Sequence, residues 1–523
     1  MLLRTLNHGK TRKKDLFLCT VLVCALVMGS ISGCGVHQQE EYDSASVVAD
    51  KALEEFMNLT TVPRPSFHTE KALAYLQTFA DNHGFTHYRD EYGNFWMDVP
   101  ATKGYEDYPK VILQGHMDMV CVSDPGVDID FETTGITAIV SDDTITADGT
   151  SLGADDGAGI GTMLAICESN VAHGPLRVLV TTDEEVGLLG AEALDDSAID
   201  SDYLINIDDE EAGKITYSTA GGLQVTMENQ YDTKPVNSGD TVWKLEVGNL
   251  LGGHSGVEID KNRLSAVTAL TMMLQGVTDA DIPFGLISIN IGEFDNVIAP
   301  SGSVTFAVST ENEEKLTKIV QDIEDSLSSQ YPDENMECTL QKQDAEGMSA
   351  VSTKDSSKLI ELIQSLPQGV ISMSKKIDGL VETSSNIGVV KLTDGFAEFD
   401  VNGRSCVSKE LDKLETDFCT QADKYGYSCT TNSKYPGWDG DPDSPLLNLF
   451  VKSYEETGVE PELLAVHAGL ECSWFTTKRD GVQMIAIGPT ITGAHTTSET
   501  LQPKTIEPMV SALLYCLANI NTI

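Results

Sequence analysis

Three short apolar runs most constrain what this chain can fold into. They cover residues 111–113, 176–180 and 203–207, and stretches with helical spacing of apolar residues lie between them at 158–168 and 188–194. Short apolar runs that alternate with helices are typical of a sheet covered by helices. The pattern therefore predicts an α/β fold.

The middle of the chain has a different pattern, which begins near Gly221 and Gly222. Strand-like and helical stretches alternate there in an order that suits an α+β domain. We interpret residues 222–435 as a domain inserted between two parts of the first one, residues 47–221 and 436–523. Since 523 residues exceed what one hydrophobic core usually organises, length alone also favours two domains.

The first 33 residues consist of a basic start and an apolar run over residues 16–28, which is too short to span a membrane comfortably. Small residues then precede Cys34, as in the signal of bacterial lipoproteins. This pattern predicts an exported protein that loses residues 1–33 and is anchored by lipid on Cys34 to the outer face of the cell membrane. Residues 34–46 would form a tether. A cleaved ordinary signal with an incidental Cys34 is the alternative.

Composition excludes some classes of partner and site. Acidic residues outnumber basic ones, 81 against 34, and the formal net charge is -47. A surface of that sign repels phosphate, so we expect no nucleic-acid partner. No two of the 11 cysteines form a CxxC pair, so a zinc site of paired thiolates is not expected. Disulfide pairing stays open.

Candidate metal ligands follow the predicted strands. In sheets of this kind, ligands bind at the carboxyl ends of the strands. The side chains found after the three runs are His116 and Asp118, then Asp183, Glu184 and Glu185, then Asp208. Three adjacent acids behind a buried strand are unfavourable unless cations or protons compensate their charge. A histidine and an aspartate two residues apart, taken alone, equally suit a surface pair.

Two further motifs complete the candidate set. Asp155 and Asp156 lie between glycines and alanines before a helix, where acids have no packing purpose, and Asp155 is suited to bridge two cations. A calcium-like or helix-capping loop is the alternative. His495 lies in a polar loop near the C-terminus and, taken alone, is more often structural. Together with the strand-end residues these side chains suit two ions of zinc, manganese or cobalt.

Neighbouring residues predict how the chemistry is divided. Glu184 and Glu185 are adjacent, so one can bind metal while the other takes the proton of a metal-activated water. Asp118 can hold the imidazole of His116, since a histidine ligand commonly gives its second N–H to a carboxylate.

These motifs, in this order, resemble the two-zinc aminopeptidase and glutamate-carboxypeptidase superfamily. Its most similar branch is the aminoacyl-histidine dipeptidases, also called peptidase D or Xaa-His dipeptidase. The resemblance covers about residues 47–523. The motifs that carry it are Gln114-Gly115-His116-Met117-Asp118-Met119-Val120, Leu152-Gly153-Ala154-Asp155, Thr182-Asp183-Glu184-Glu185-Val186-Gly187, Gly252-Gly253-His254-Ser255-Gly256, His467-Ala468-Gly469-Leu470-Glu471-Cys472 and Ile487-Gly488-Pro489-Thr490.

The resemblance implies a mixed sheet covered by helices, an inserted lid domain and two metal ions, of which zinc is the first choice. One ion would be held by His116, Asp155 and Asp208. The other would be held by Asp155, Glu185 and His495.

The resemblance also implies the catalytic and substrate-binding residues. Asp118 would orient His116, and Glu184 would be the general base. The inserted domain would act as a lid and could form the face of a homodimer. His254, in this domain, would reach the substrate carbonyl, and in some relatives the corresponding histidine comes from the partner subunit. The residues expected to contact substrate are His254, Asn296, Arg404 and Glu471.

The function expected from this set is hydrolysis of dipeptides. Asp295, Ser473 and residues 496–498 depart from the pattern of the branch, so a preference for a C-terminal histidine stays open against a broader specificity. An N-acyl amino-acid hydrolase or carboxypeptidase on the same metal core is the enzymatic alternative. The alternative that is not an enzyme is a lipoprotein that binds peptides without hydrolysing them.

Overall fold

The computed structural model describes residues 42–377, 379–467 and 469–523. The predicted signal, residues 1–33, and Cys34 lie outside these described residues. Among the residues that the structure describes, we find no helix that could span a membrane.

The first part of the chain forms helices and strands in alternation. The helices are α1 Ala45–Thr60, α2 Glu70–His83, α3 Ala154–Glu168 and α4 Leu189–Ala193. The strands are β1 Thr86–Arg89, β2 Phe95–Val99, β3 Val111–His116, β4 Ala138–Val140, β5 Ile145–Ala147, β6 Leu176–Thr181, β7 Tyr203–Asn206 and β8 Lys214–Thr219.

The middle of the chain is richer in strands. Its helices are α5 Ala266–Asp279, α6 Glu313–Gln330, α7 Thr353–Ser365 and α8 Ser408–Tyr425. Its strands are β9 Gly221–Gln230, β10 Thr233–Pro235, β11 Asp240–Gly248, β12 Gly253–His254, β13 Phe284–Ile291, β14 Val297–Ile298, β15 Gly302–Ser309, β16 Glu337–Gln343, β17 Ser349–Val351, β18 Gly369–Met373, β19 Val381–Thr393, β20 Phe396–Ser405 and β21 Ser428–Tyr435.

The last part of the chain returns to the first sheet. Its helices are α9 Pro445–Thr457, α10 Cys472–Lys478 and α11 Ile506–Asn519. Its strands are β22 Glu462–Val466, β23 Gln483–Ala486, β24 Thr490–Thr492 and β25 Thr500–Gln502.

The first sheet combines strands from both ends of the chain. Among the described residues its order is β1-β2-β6-β3-β7-β23-β8-β22. Strands β6, β3, β7 and β23 run parallel, whereas β1 and β2 pair antiparallel at one edge. Strands β3 and β6 are buried along their whole length, as expected of parallel strands covered on both faces. The predicted α/β fold with a mixed sheet covered by helices is confirmed.

Helices cover both faces of this sheet. On one face α1, α3, α9 and α11 pack in a core that contains Phe56, Leu164, Phe450 and Leu513. On the other face α4 and α10 close a smaller cluster. These layers fix the strand ends, because a strand packed from both sides cannot shift its register without exposing apolar side chains.

The second sheet lies wholly between Gly221 and Tyr435. Its order within the described ranges is β16-β11-β15-β13-β19-β20-β9-β21, and β18 pairs with β19. Buried side chains of α5, α6, α7 and α8 share a single core with its strands. Helix α5 begins at Ala266 because Ser265 is its N-cap, and the Ser265 side chain accepts the backbone N–H of Val267.

Candidate metal centre and active site

The carboxyl ends of β3, β6 and β7 meet at one edge of the first sheet. His116 is the last residue of β3, Glu184 and Glu185 follow β6, and Asp208 follows β7. Because these strands are parallel neighbours, side chains that are distant in sequence come together there.

Asp155 lies between two histidines. Its Oδ1 is 3.0 Å from His116 Nε2, and its Oδ2 is 3.1 Å from His495 Nε2. The backbone departs from helical geometry at Asp155 and Asp156, within the first turn of α3, and the peptide between them is cis. The two distances show that each oxygen of this one carboxylate faces a different imidazole.

Each histidine has a second carboxylate of its own. His116 Nε2 lies 3.3 Å from Asp208 Oδ1, and His495 Nε2 lies 2.9 Å from Glu185 Oε2. Ligand atoms of His116, Asp155 and Glu185 lie within 4.8 Å of one another. The structure thus brings together all five residues predicted to bind metal, in two groups that share Asp155.

The site concentrates buried negative charge. Burial raises the pKa of Asp208 to about 7. Burial would also raise the pKa of Asp155, but hydrogen bonds with His116 and His495 lower it below its ordinary value. Hydrogen bonds to Asp155 and Glu185 raise the pKa of His495 to about 11. Divalent cations would relieve this crowding of acids, and imidazole nitrogens with carboxylate oxygens are donors that they accept. The residues present therefore fit a pair of metal ions.

Asp118 connects His116 to the loop after β6. It is fully buried, and its Oδ1 lies 3.5 Å from His116 Nδ1. The same carboxylate accepts the backbone N–H groups of Glu184, at 3.0 Å, and Glu185, at 3.3 Å, and the hydroxyl of Ser66 at 2.7 Å. Asp118 is thus placed to fix both the imidazole and the two glutamates.

Glu184 differs from Glu185 in what its carboxylate contacts. Its Oε2 lies 3.9 Å from His116 Nε2, and within the described ranges no hydrogen bond reaches its carboxylate. Burial, followed by the charges of nearby acids, raises the pKa of Glu184 above its ordinary value, although His116 opposes this shift.

The predicted substrate contacts fall in two places. His254 lies in the short strand β12, which pairs with β14, the strand directly after Asn296. The His254 Nδ1 accepts the backbone N–H of Gly256 at 3.1 Å. Arg404 is buried nearby. The burial of His254, together with the charge of Arg404, lowers the pKa of His254. No hydrogen bond or ion pair joins His254 or Arg404 to the metal-ligand candidates among the described residues.

The environment of Glu471 differs from that of His254, Asn296 and Arg404. It is fully buried, and its Oε2 accepts hydrogen bonds from Gln114 at 2.6 Å and Thr181 at 2.7 Å, both on strands of the first sheet. Burial raises the pKa of Glu471 to about 8. In this conformation it supports the strand ends from inside and does not reach the surface.

Sequence reasoning missed two buried charges beside the site. Arg64 donates hydrogen bonds to the backbone carbonyls of Met117, Asp118 and Gly153. Glu499 accepts backbone N–H groups from residues 152–155. Neither belongs to a motif quoted above, and the only signal was the position of Glu499 four residues after His495.

Comparison with known proteins decides the family. The model of peptidase family M20/M25/M40 matches residues 112–519. The chain belongs to this family. It is therefore a hydrolase of the peptidase class, as the motifs predicted.

Members and relatives of the M20 family match most of the chain. The cytosol non-specific dipeptidase of Escherichia coli (strain K12) is 33% identical over 454 residues, which are 86% of this chain and 93% of the relative. The crystal structure of aminoacylhistidine dipeptidase from Vibrio alginolyticus has a TM-score of 0.85 and 30% identity, and covers 89% of this chain and 96% of its own. The predicted resemblance to the aminoacyl-histidine dipeptidase branch is confirmed.

A more distant structure shares the fold alone. A tripeptidase from Staphylococcus aureus has a TM-score of 0.51 at 17% identity, and the match covers 91% of this chain and 99% of that one.

The predicted export is contradicted by these comparisons. The Escherichia coli relative that covers 86% of the chain is a cytosol enzyme by name, which conflicts with an exported lipoprotein anchored to the outer face of the membrane through Cys34. The prediction rested on a local pattern: a basic start, a short apolar run and small residues before Cys34. Residues 1–41, which carry that pattern, lie outside the described residues.

Proposed function

We propose that this M20-family chain is a two-zinc dipeptidase in which Glu184 is the general base. The observation that carries the proposal is the position of Asp155, whose two oxygens face His116 and His495 at 3.0 and 3.1 Å. A carboxylate shared between two histidines, each with a further acid beside it, suits a pair of ions better than a single one.

The proposed ligands divide into two sets. His116, Asp155 and Asp208 hold one ion, and Asp155, Glu185 and His495 hold the other. Two divalent ions bound there would polarise the peptide carbonyl and acidify a water molecule. Zinc is proposed because nitrogen and oxygen donors of this kind are its usual ligands, and manganese and cobalt are the alternatives.

Glu184 is proposed to move the proton. Its carboxylate has no hydrogen-bond partner among the described residues, whereas that of Glu185 lies 2.9 Å from His495. Glu184 can therefore accept a proton from the attacking water and later give one to the amine nitrogen as the C–N bond breaks. Asp118 holds the Glu184 backbone, so the base is positioned from the same residue that orients His116.

The substrate is proposed to lie between the two sheets. Arg404 has no carboxylate partner within ion-pair distance among the described residues, and its buried Nε has no hydrogen-bond partner there. A buried guanidinium without a carboxylate partner can bind the C-terminal carboxylate of a dipeptide. We propose His254 and Asn296 as further contacts. Residues 222–435 would then be the lid domain and could supply the face of a homodimer.

Turnover of a substrate panel by metal-free and zinc-reconstituted protein tests this function. The panel contains Xaa-His dipeptides, other dipeptides, and N-acetyl amino acids of matched side chains. We expect hydrolysis of dipeptides only, lost on chelation and restored when two equivalents of zinc are returned. Hydrolysis of the N-acetyl amino acids in preference to dipeptides would contradict the proposal and favour an N-acyl amino-acid hydrolase.

A further inference from the structure

Glu499 accepts four consecutive backbone N–H groups. Its Oε2 accepts those of Leu152, at 2.7 Å, and Gly153, at 2.9 Å. Its Oε1 accepts those of Ala154, at 2.7 Å, and Asp155, at 3.3 Å. The carboxylate is almost wholly buried, with 3% exposure. Successive backbone N–H groups that point to the same side form an anion-binding site, and here the Glu499 carboxylate occupies it.

The segment held in this way is the one that presents Asp155. Gly153 has a φ of +70°, a left-handed conformation that glycine adopts without strain and that helps turn successive N–H groups to one side. The carbonyl of Gly153 accepts a hydrogen bond from Arg64, which also holds the carbonyls of Met117 and Asp118 at 3.1 and 2.9 Å. The position of Asp155 is thus fixed from two sides by opposite charges.

Glu499 also belongs to the loop that carries His495. The His495 side chain is 52% exposed, more than the other proposed ligands, and its described side-chain partners are Asp155 and Glu185. Between His495 and Glu499 the loop turns back on itself, with the Glu499 N–H donating to the carbonyl of Thr496 at 3.2 Å. The buried Glu499 carboxylate therefore anchors an otherwise exposed ligand loop to the segment that presents Asp155.

We propose that Glu499 is a positioning residue that sets the distance between His495 and Asp155, and so the affinity for the ion these two residues share. The inference rests on the proposed function, because it assumes two ions. It assigns Glu499 chiefly to this ion. The other ion also uses Asp155, but its ligands His116 and Asp208 lie on β3 and after β7, where the first sheet fixes them without the loop.

Titration of the metal-free full chain with Zn²⁺ against a competing chromophoric chelator tests this assignment. In Glu499→Gln, we expect one of the two affinities to fall about 10–100-fold, the usual effect of removing a partner that orients a metal ligand. The other affinity should fall much less, because that ion shares Asp155 but its ligands His116 and Asp208 are held by the first sheet. The affected ion is identified by comparison with His495→Ala and Asp208→Ala, and Co²⁺ absorption spectra of the same variants give a second signature of which ligand set has changed.

A matched control is available in the inserted segment. Glu334 is also a buried carboxylate that accepts two backbone N–H groups, from Leu251 at 2.7 Å and Leu264 at 3.0 Å, away from the metal ligands. Glu334→Gln should lower the melting temperature but leave both affinities unchanged. Glu499→Asp keeps the charge and withdraws it by one methylene, so it should show the same selective loss if Glu499→Gln fails to fold.

The outcomes separate this inference from the proposed function. Wild-type affinities for both ions in Glu499→Gln and Glu499→Asp would overturn the positioning role, as would equal weakening of both ions or the same loss in Glu334→Gln. A wild-type chain that binds fewer than two zinc ions would overturn the proposed function itself, and the inference with it.

Discussion

Asp118 holds the backbone of Glu184: its carboxylate accepts the Glu184 N–H at 3.0 Å while the same group lies 3.5 Å from His116 Nδ1. One buried side chain thus connects a proposed metal ligand to the proposed base. The distance between His116 and Glu184 is therefore set by Asp118 as well as by the loop after β6.

Replacing Asp118 by asparagine should reduce kcat/KM about 10–100-fold, with a smaller loss of bound metal. The new amide NH₂ would face N–H donors from Glu184 or Glu185, so one hydrogen bond is replaced by a repulsive contact. Steady-state kinetics and metal analysis of the same sample check this. Asp98→Asn, which removes a partner of Arg177, should lower stability but leave kcat/KM unchanged. Unchanged kcat/KM in Asp118→Asn would contradict the positioning of Glu184 by Asp118.

Removing the Arg404 guanidinium should raise KM more than it lowers kcat. A charged hydrogen bond to a carboxylate contributes about 1.5–3 kcal/mol, so Arg404→Met should raise KM for dipeptides about 10–100-fold. Dipeptide amides, which lack the carboxylate, should show little change. Arg479→Met removes an exposed pair with Asp202 and should leave KM unaltered. An equal rise in KM for dipeptides and their amides would count against carboxylate binding by Arg404.

His467 should make the protein less stable as pH falls. Burial, together with the charges of Arg404 and His254, lowers the pKa of His467 from 6.5 to about 4. Below pH 6.5 the unfolded chain takes up this proton before the folded one does, so stability is full above pH 6.5 and is lost as pH falls towards 4.

Between pH 7 and pH 5, wild type should lose about 2 kcal/mol of unfolding free energy through this residue. His467→Gln retains a group that can reach Ser384 but does not titrate, so it should lose correspondingly less. Urea unfolding at both pH values measures the difference. Identical losses in the two proteins would show that His467 is not buried in its neutral form.

Three of the proposed metal ligands carry a local signal in the sequence. A carboxylate or histidine directly after a buried strand has a known place in a sheet, so His116, Glu185 and Asp208 were recognisable before any contact was known. The two-residue spacing of His116 and Asp118 also predicted their contact, which the structure contains.

The sequence did not predict the other groups that hold the proposed ligands in place. Arg64 and Glu499 contact backbone N–H and carbonyl groups, which leave no pattern in side-chain types. The Cys419–Cys429 disulfide was likewise open, because pairing depends on the approach of α8 to β21, which is set by tertiary packing. The buried position of Glu471 has the same cause, since its partners Gln114 and Thr181 lie far away in sequence.

The paired variants Glu184→Gln and Glu185→Gln, assayed for bound zinc and turnover in one preparation, test the central claim most directly. Glu184→Gln should keep both ions and lose about 10²–10⁴-fold in kcat, the range typical of general acid–base catalysis, because it removes the proton acceptor alone. Glu185→Gln should lose the ion shared with His495. If Glu184→Gln instead loses an ion while Glu185→Gln keeps both, the base and the ligand are assigned to the wrong residues; full turnover in Glu184→Gln would contradict the mechanism altogether.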